Sequence, residues 1–480
     1  MKTFDMDTQM KMTGAGIRGQ GSGVRNQVSG PTQPLPGCSM PGKVTNKLSR
    51  VLQFLALSIL VMVLIGLGCQ RAEQKEERRI TVALPQWFYP SEEAPWLEKV
   101  WQTIREENPG WAFSPDLVPG RTEQVKQKLM VVHASGEGPD LACIRLEWVP
   151  TLVEQGILQP IGGGLSDVWE TMLPALLPTV EHRGRRYVVP YDIGVRVILY
   201  RSDLFESAGL PAPSPMWTWN DLVDGAKRLT RDLDGDGTID RWGFGLPAAR
   251  SKKTILHWLP WFWSLGGNLQ TEDGQVTLST PAAVAAMEWY RELAHRYRVT
   301  PPTFYSMDQD TVFQGMASGL FAITEGGSWE IAMLEKHSPH SEEIRIARLP
   351  RPRPDGSSRT LIDGWGFAIL TQDGKKQSVL ARLLGNLCSA EHQLAKYHAS
   401  GMLSPFEQMY RDPVFIQARE GKLLASVLQD ARPVPSLSSF PAISEALEIA
   451  LQEVLMEGVR PAVALAEQDQ LLRKRQMQDR

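Results

Sequence analysis

The spacing of acidic residues in one short segment is the clearest chemical pattern in the sequence. The segment reads DLDGDGTID, with aspartates at relative positions 1, 3, 5 and 9 and Gly237 at position 6. This order is typical of a calcium-binding loop, although Gly243 replaces the bidentate glutamate expected at position 12. We therefore expect this loop to bind Ca²⁺, with an acidic glycine-rich turn as the alternative. The predicted ligands are Asp232, Asp234, Asp236, the carbonyl of Thr238, and Asp240.

The sequence carries no pattern typical of an enzyme. It has no HExxH motif, no GxxxxGK[ST] phosphate loop, and no Ser/His/Asp or Cys/His constellation. Its formal net charge of −3 provides no basic excess for nucleic acid. The cysteines have neither metal-ligand nor disulfide-framework spacing. We therefore predict a protein that is not an enzyme, requires no cofactor and binds no nucleic acid.

An apolar segment near the N-terminus predicts export. Residues 1–50 are polar and without periodicity up to a short basic flank, so they are predicted to be disordered. Residues 51–69 begin with an uncharged run that follows these basic residues, which is the pattern of an export signal or a membrane anchor. Met40 is an alternative start to Met1, because the chain from there has a basic region of ordinary length.

The end of this segment resembles a bacterial lipobox with Cys69 as the acylated residue. Gly66 stands where leucine is usual in that motif. Either a lipid on Cys69 or an uncleaved anchor would tether the chain to the outer side of the cytoplasmic membrane, in the periplasm or at the cell surface. Residues 70–79 would form the tether.

Strands and helices alternate in the chain that follows. RITVAL at Arg79–Leu84 and DLACI at Asp140–Ile144 read as strands, with helical spacing of apolar residues between them. This alternation predicts a parallel or mixed sheet covered by helices on both faces. Because ligands bind beyond the carboxyl ends of such strands, the loops at 85–90 and 145–150 are expected at a ligand site.

A longer segment, Gly184–Thr230, predicts extended chain followed by a helix. The chain bends at Pro190, and Val195–Tyr200 reads as a second extended piece. Thr218 is predicted to cap the helix, in a first turn that carries Asp221.

Four segments, taken in order, resemble the extracellular solute-binding proteins of ATP-driven sugar importers, the family that includes maltose-binding protein. They are Ser135–Leu158, Gly184–Thr230, Phe313–Trp329 and Asp363–Leu370. The resemblance covers about residues 79–470. It implies an α/β, two-lobe periplasmic-binding-protein type II fold, in which each lobe is a mixed sheet flanked by helices and the ligand cleft lies between the lobes.

The resemblance also implies the division of the chain into lobes. Residues 80–190 and 363–410 are expected to form lobe 1. Residues 191–362 are expected to form lobe 2, together with most of the helical part at 411–480.

The resemblance implies a carbohydrate ligand, and sugar recognition needs apolar plates for C–H faces and charged or planar polar groups for hydroxyls. Gly326 and Gly327 are expected to form a tight turn that presents an aromatic plate. A tryptophan-rich run is also typical of a core, which is the alternative for Trp261. The residues predicted to contact the ligand are Trp87, Glu147, Trp148, Tyr191, Asp192, Trp261, Trp329 and Trp365.

The predicted function is capture of a carbohydrate by a monomer that delivers it to the transmembrane subunits of an ABC permease. One alternative is a membrane-anchored sensory or adhesion module with the same fold. A remote alternative is a carbohydrate-active hydrolase, with Glu147 and either Asp192 or Glu325 as its two carboxylates. Arg121 and Arg196 leave open whether the sugar is neutral or acidic, because arginine also suits a carboxylate or phosphate.

Overall fold

The structure is a computed structural model, and its described residues are 78–86, 95–120 and 122–478, without the side chains of 95–97. Three predicted features lie outside the described residues: the ligand contact at Trp87, the cation at Arg121, and the N-terminal segments with Cys69. Within the described part of the chain, no helix combines the length and apolar character needed to cross a membrane.

Two long strands pass through the centre of the molecule. β6 (Val188–Arg201) and β10 (Thr360–Ile369) pair antiparallel, and every residue of both is buried. Such burial on both faces suits the valine and isoleucine residues that recur in β6. The register shifts between Trp365 and Gly366, so that Tyr191 becomes an extra residue in β6. Pro190 lies at this bulge, one of the few places where a strand tolerates proline.

The two strands stand in the middle of a nine-stranded mixed sheet. Its order is β2-β1-β3-β10-β6-β8-β7, with β11 paired to β10 and β9 paired to β6, while β4 and β5 form a separate hairpin. The remaining strands are β1 (Arg78–Pro85), β2 (Trp111–Val118), β3 (Leu141–Arg145), β4 (Glu181–His182), β5 (Arg185–Arg186), β7 (Trp242–Gly245), β8 (Phe321–Gly327), β9 (Ile344–Ala347) and β11 (Ala431–Pro433).

Helices connect most of the strands. In chain order they are α1 (Pro95–Glu107), α2 (Thr122–Ala134), α3 (Val149–Glu154), α4 (Ser166–Thr171), α5 (Leu177–Val180), α6 (Ser202–Ser207), α7 (Trp219–Leu229), α8 (Lys252–Ser264), α9 (Pro281–His295), α10 (Gln309–Ser318), α11 (Glu330–His337), α12 (Gly374–Leu387), α13 (Ala390–Ser400), α14 (Pro413–Gln417), α15 (Gly421–Val427), α16 (Phe440–Met456) and α17 (Pro461–Gln478).

The predicted start of α7 is confirmed. The hydroxyl of Thr218 accepts a hydrogen bond from the backbone N–H of Asp221 (3.3 Å), and the Asp221 carboxylate accepts one from the backbone N–H of Thr218 (2.7 Å). This reciprocal capping box satisfies two N–H groups that the first turn of a helix leaves unpaired. Leu222, Ala226 and Leu229 lie on the buried face of the helix.

Two hydrophobic cores define the two lobes. The core of lobe 1 surrounds β1 and β3, and the core of lobe 2 surrounds α8, α9 and α16. β6 passes from one core to the other, because Val197 packs in the first and Ile198 in the second. Buried residues beyond residue 410 belong to the first core as far as Leu428. From Val434 onward the buried residues belong to the second core.

Candidate functional site

Charged side chains from both lobes meet where β6 and β10 pass between the lobes. We call these two strands the crossover strands. Arg145 ends β3, Glu147 follows it, Arg196 lies on β6, Asp363 lies on β10, and Lys252 is the first residue of α8. We refer to these five residues as the interlobe cluster. They join the two crossover strands to lobe 1 on one side and to α8 of lobe 2 on the other.

One carboxylate oxygen of Asp363 binds two arginines. Nη2 of Arg145 donates to Oδ2 of Asp363 (2.8 Å), and Nη2 of Arg196 donates to the same oxygen (3.1 Å). Arg145 also donates from Nε to both carboxylate oxygens of Glu147, at 3.2 Å each. The side chains of Asp363 and Arg196 are 4% and 2% exposed, so these ion pairs are almost fully removed from water.

Lys252 extends the interlobe cluster across the lobes. Its Nζ donates to Oε1 of Glu147 (3.2 Å) and to Oε1 of Glu123, near the start of α2 (3.1 Å). Ser251 caps α8 by accepting a hydrogen bond from the backbone N–H of Thr254, which fixes where the helix and Lys252 begin. Lobe 2 therefore contributes a cation to two carboxylates of lobe 1.

Four side chains of the interlobe cluster are held in their charged forms by their neighbours, namely Asp363, Glu147, Lys252 and Arg145. Burial alone would raise the pKa of Asp363, but Arg196 and Arg145 lower it to about 2. The pKa of Glu147 is likewise lowered, because Arg145 and Lys252 outweigh its burial. Burial opposes the charge of Lys252 and Arg145, yet neighbouring carboxylates raise the pKa of both. These four side chains are therefore ionised throughout the neutral pH range.

The indole of Trp329 lies on two glycines. A Cβ added to Gly194 or to Gly327 would fall under 3.0 Å from atoms of this ring, a distance that real Cβ atoms do not show. The guanidinium carbon of Arg196 lies 4.9 Å from the ring centroid. Trp329 itself is only partly buried.

This arrangement corrects the prediction of a tight turn at Gly326 and Gly327. Both glycines belong to β8, and neither has a positive φ. They are needed because side chains approach the backbone closely, namely the ring of Trp329 and the carboxylate of Glu330. Glu330 is buried and accepts a hydrogen bond from Nε2 of Gln309 (2.8 Å), and burial raises its pKa to about 7.

Trp365 lies at the lobe 1 side of the interlobe cluster. The guanidinium carbon of Arg145 lies 5.4 Å from its ring centroid, and Trp148 meets it edge-on at 5.7 Å. Trp365 is 9% exposed and Trp148 is 1% exposed. The predicted contacts at Glu147, Trp329 and Trp365 are thus brought to one place, while Trp148 supports Trp365 from the core.

Tyr191 and Asp192 lie at the bulge of β6, among residues of lobe 1. The Tyr191 hydroxyl is 3.0 Å from Nε2 of His392, and the Tyr191 carbonyl accepts from the ammonium of Lys396. Oδ1 of Asp192 accepts from the backbone N–H of Trp365 (3.2 Å). Burial raises the pKa of Asp192 and lowers that of Lys396 to about 8. The Asp192 contact joins β6 to β10, and the Tyr191 contacts join β6 to α13.

Trp261 is part of a buried polar network in lobe 2. Its Nε1 donates to Oε2 of Glu325 (2.6 Å), and Nδ1 of His257 lies 3.1 Å from the other carboxylate oxygen. Trp261 is 1% exposed and packs against Trp219 and Trp289. In this conformation its indole packs within the core of lobe 2, which was the alternative interpretation of the tryptophan-rich run.

The acidic loop folds back on its own backbone. Carboxylate oxygens of Asp232, Asp234 and Asp240 lie within 4.8 Å of one another. Asp232 accepts from the backbone N–H groups of Gly235 (2.6 Å) and Gly237 (2.8 Å). The loop is therefore preformed, and three of its five predicted ligands converge.

Sequence reasoning missed three members of the interlobe cluster: Arg145, Lys252 and Asp363. The partners are far apart in the chain, because Lys252 and Glu147 are separated by 105 residues and Asp363 and Arg145 by 218. The available signal was that Arg145 lies within Ser135–Leu158 and Asp363 begins Asp363–Leu370, two segments that the family resemblance had already singled out.

Two lobes joined by β6 and β10, with partly buried Trp329 and paired charges between them, define a two-lobed α/β protein. The structure of maltose-bound MalE3 from T. maritima superimposes with a TM-score of 0.71 at 21% identity, covering 82% of this chain and 99% of that one. The prediction of a two-lobe fold with a helix-flanked mixed sheet is thus confirmed.

The model of the family "Bacterial extracellular solute-binding protein" matches residues 89–388, more than half of the chain. The protein belongs to this family. A binding protein of Brucella abortus is 25% identical over 405 residues, covering 83% of this chain and 94% of its own. An ABC transporter-binding protein of Deinococcus radiodurans is 23% identical over 340 residues, covering 69% of this chain and 79% of its own. These relatives are binding proteins rather than enzymes.

Proposed function

We propose that this protein captures a carbohydrate between its lobes and delivers it to the transmembrane subunits of an ABC permease. The observation that carries the proposal is the surface next to Trp329. Trp329, which is partly exposed, stands beside Arg196, whose buried Nε and Nη1 have no hydrogen-bond partner among the described residues and would be reached by a ligand once the lobes open. An apolar ring next to donors that need acceptors is what the C–H face and the hydroxyls of a sugar require.

The charges around this surface favour a neutral sugar. Three cations, Arg145, Arg196 and Lys252, are paired with three carboxylates, Glu147, Asp363 and Glu123. Their formal charges cancel. An acidic ligand would have to displace one of these carboxylates, whereas neutral hydroxyls need only the unpartnered N–H groups.

The lobes provide the mechanism of capture. An open form would expose Trp329 and Glu147 to the ligand, and contacts from both lobes would favour the closed form. Lys252 links the lobes in this structure, through Glu147 and Glu123. The closed, loaded form would then be the one that the permease recognises, and a monomer suffices for this cycle.

Two further features belong to this proposal. Acylation of Cys69, or retention of residues 51–69 as an anchor, would hold the protein at the outer side of the membrane. Ca²⁺ bound by Asp232, Asp234 and Asp240, with Asp236 and the Thr238 carbonyl, would stabilise the loop before β7 without taking part in ligand binding.

The experiment is a thermal-shift screen of the exported chain against mono-, oligo- and acidic saccharides, followed by calorimetry on Trp329→Ala. We expect a neutral saccharide to raise the melting temperature and Trp329→Ala to weaken its binding tenfold or more, because a stacking contact is lost. Trp169→Ala is the matched control, since Arg186 also lies 4.9 Å from that ring. Equal affinity of wild type and Trp329→Ala would contradict the assignment of the site.

A further inference from the structure

Asp363 occupies a central position between the candidate aromatic plates. It lies on β10 directly opposite Gly194 of β6, the glycine that supports the ring of Trp329. Two residues further along β10 stands Trp365. A single carboxylate therefore lies between two indoles, one of which follows a strand of lobe 2 while the other packs in lobe 1.

The carboxylate reaches each indole through an arginine. Oδ2 of Asp363 accepts from Arg145 and from Arg196. The guanidinium of Arg145 lies over Trp365, and that of Arg196 lies over Trp329. A cation over an aromatic face is attracted by the ring, and the attraction is strongest away from water. The position of each guanidinium thus influences the position of its ring.

The two arginines depend on Asp363 to different extents. Arg145 has a second carboxylate partner in Glu147, at 3.2 Å. Among the described residues, Arg196 has its ion pair with Asp363 alone, and its Nε and Nη1 are unpartnered. Without the charge of Asp363, two guanidinium groups that bind the same oxygen would repel each other. Arg196, and with it Trp329, would move more.

We propose that Asp363 is the positioning residue of the ligand site, because it fixes Arg196 over Trp329 and Arg145 over Trp365. This role requires no contact between Asp363 and the ligand. This inference rests on the proposed function for its biological meaning, but the positions of the two indoles are measurable without any ligand.

The test is ¹⁹F NMR of the ligand-free protein labelled with 5-fluorotryptophan. Of the 15 tryptophans, the signals of the two plates are assigned with Trp329→Phe and Trp365→Phe. We expect Asp363→Asn to shift both signals, that of Trp329 more than that of Trp365. The matched control is Asp140→Asn, which removes another largely buried carboxylate, paired with Lys376 at 2.8 Å, and should leave both signals in place.

The outcome that would overturn the proposal is a loss of thermal stability in Asp363→Asn with both signals unmoved, as expected for a merely structural ion pair. Single arginine variants keep the test open if Asp363→Asn folds poorly. Arg196→Met should shift the signal of Trp329 alone, and Arg145→Met that of Trp365. Adding Asp363→Asn to Arg196→Met should shift Trp329 no further, so additive shifts would also contradict the proposal.

Titration with maltotriose separates this inference from the proposed function. Wild-type protein that binds no maltotriose and no other saccharide of the screen would count against the function, while the ligand-free spectra would still decide the role of Asp363. If wild type binds, Asp363→Asn should weaken binding tenfold or more. Unchanged affinity together with shifted signals would show that the plates are not where the ligand stacks, and would overturn the positioning role.

Discussion

Gly194→Ala tests whether the position of Trp329 sets ligand affinity. The substitution adds one methyl group on a strand residue whose φ already suits alanine, so the backbone should not change. The new Cβ would lie under 3.0 Å from Cε3 and Cζ3 of Trp329. Ordinary contact begins at 3.4 Å, and the ring would therefore have to move by roughly 1 Å.

The size of the effect follows from this displacement. Overpacking of a close contact costs about 1–3 kcal/mol of folding stability, and we expect the lower end here because Trp329 is only partly buried. Ring displacement should remove most of one stacking contact, worth about 1 kcal/mol, and so raise Kd roughly five- to tenfold. The ring should also leave the guanidinium of Arg196.

The assay is calorimetric titration with the saccharide that the thermal-shift screen identifies. Gly163→Ala is the control, because a Cβ at that glycine meets nothing within 4 Å and its φ is not positive. The control should bind like wild type. The reasoning fails if Gly194→Ala binds with wild-type affinity, or if Gly194→Ala loses affinity while the ¹⁹F signal of 5-fluorotryptophan at Trp329 is unchanged.

Three further predictions concern ion binding, lobe closure and pH. Removing calcium with a chelator should lower the melting temperature of wild type but not of Asp232→Asn; a wild-type protein indifferent to the chelator would argue against the site. Lys252→Met should lower the free energy of unfolding by about 1 kcal/mol, a value reduced for the partial exposure of the ion pairs. It should also increase the radius of gyration of the ligand-free protein measured by X-ray scattering. Superimposable scattering curves for the two proteins would refute the idea that Lys252 holds the lobes together. The pKa of Glu330 is raised from an unfolded value near 4.5 to about 7, so folding binds a proton and stability is lost as pH rises through about 7. Between pH 5 and pH 8, wild type should therefore lose about 2.5 kcal/mol of unfolding free energy relative to Glu330→Gln in denaturant unfolding, and parallel curves for the two proteins would contradict this.

The sequence was informative where local rules decide the structure. The capping box at Thr218 and the strand at Asp140–Ile144 depend on neighbours in the chain, and the structure contains both elements within a residue of the prediction. The two-lobe fold could be predicted only from the family resemblance, because no local rule states that β6 and β10 pair and pass between the lobes.

The candidate site was less predictable, for two physical reasons. Glycine allows both tight turns and the close approach of other side chains to the backbone. At Gly326 and Gly327 it is the close approach of side chains that requires glycine. Tryptophan is common both in hydrophobic cores and in sugar-binding sites. Residue type alone therefore could not show that Trp261 packs in a core whereas Trp329 is partly exposed. Lys252 could not be found at all, since its role arises from a contact between residues that tertiary folding alone brings together.

The ion pairs between the lobes alter what a ligand contributes to closure. A ligand shifts the lobes only by the difference between its affinities for the open and closed forms. In this structure Glu147 already accepts from Arg145 and Lys252, so a sugar hydroxyl competes with Lys252 there instead of meeting a free carboxylate. The hydroxyl therefore replaces one interaction with another at Glu147, with little net gain. At Trp329 nothing has to be displaced except water, because the exposed part of the ring carries no charge. The larger share of the closing free energy should thus come from the indole, whereas the interlobe cluster sets how far the lobes are closed before the ligand arrives.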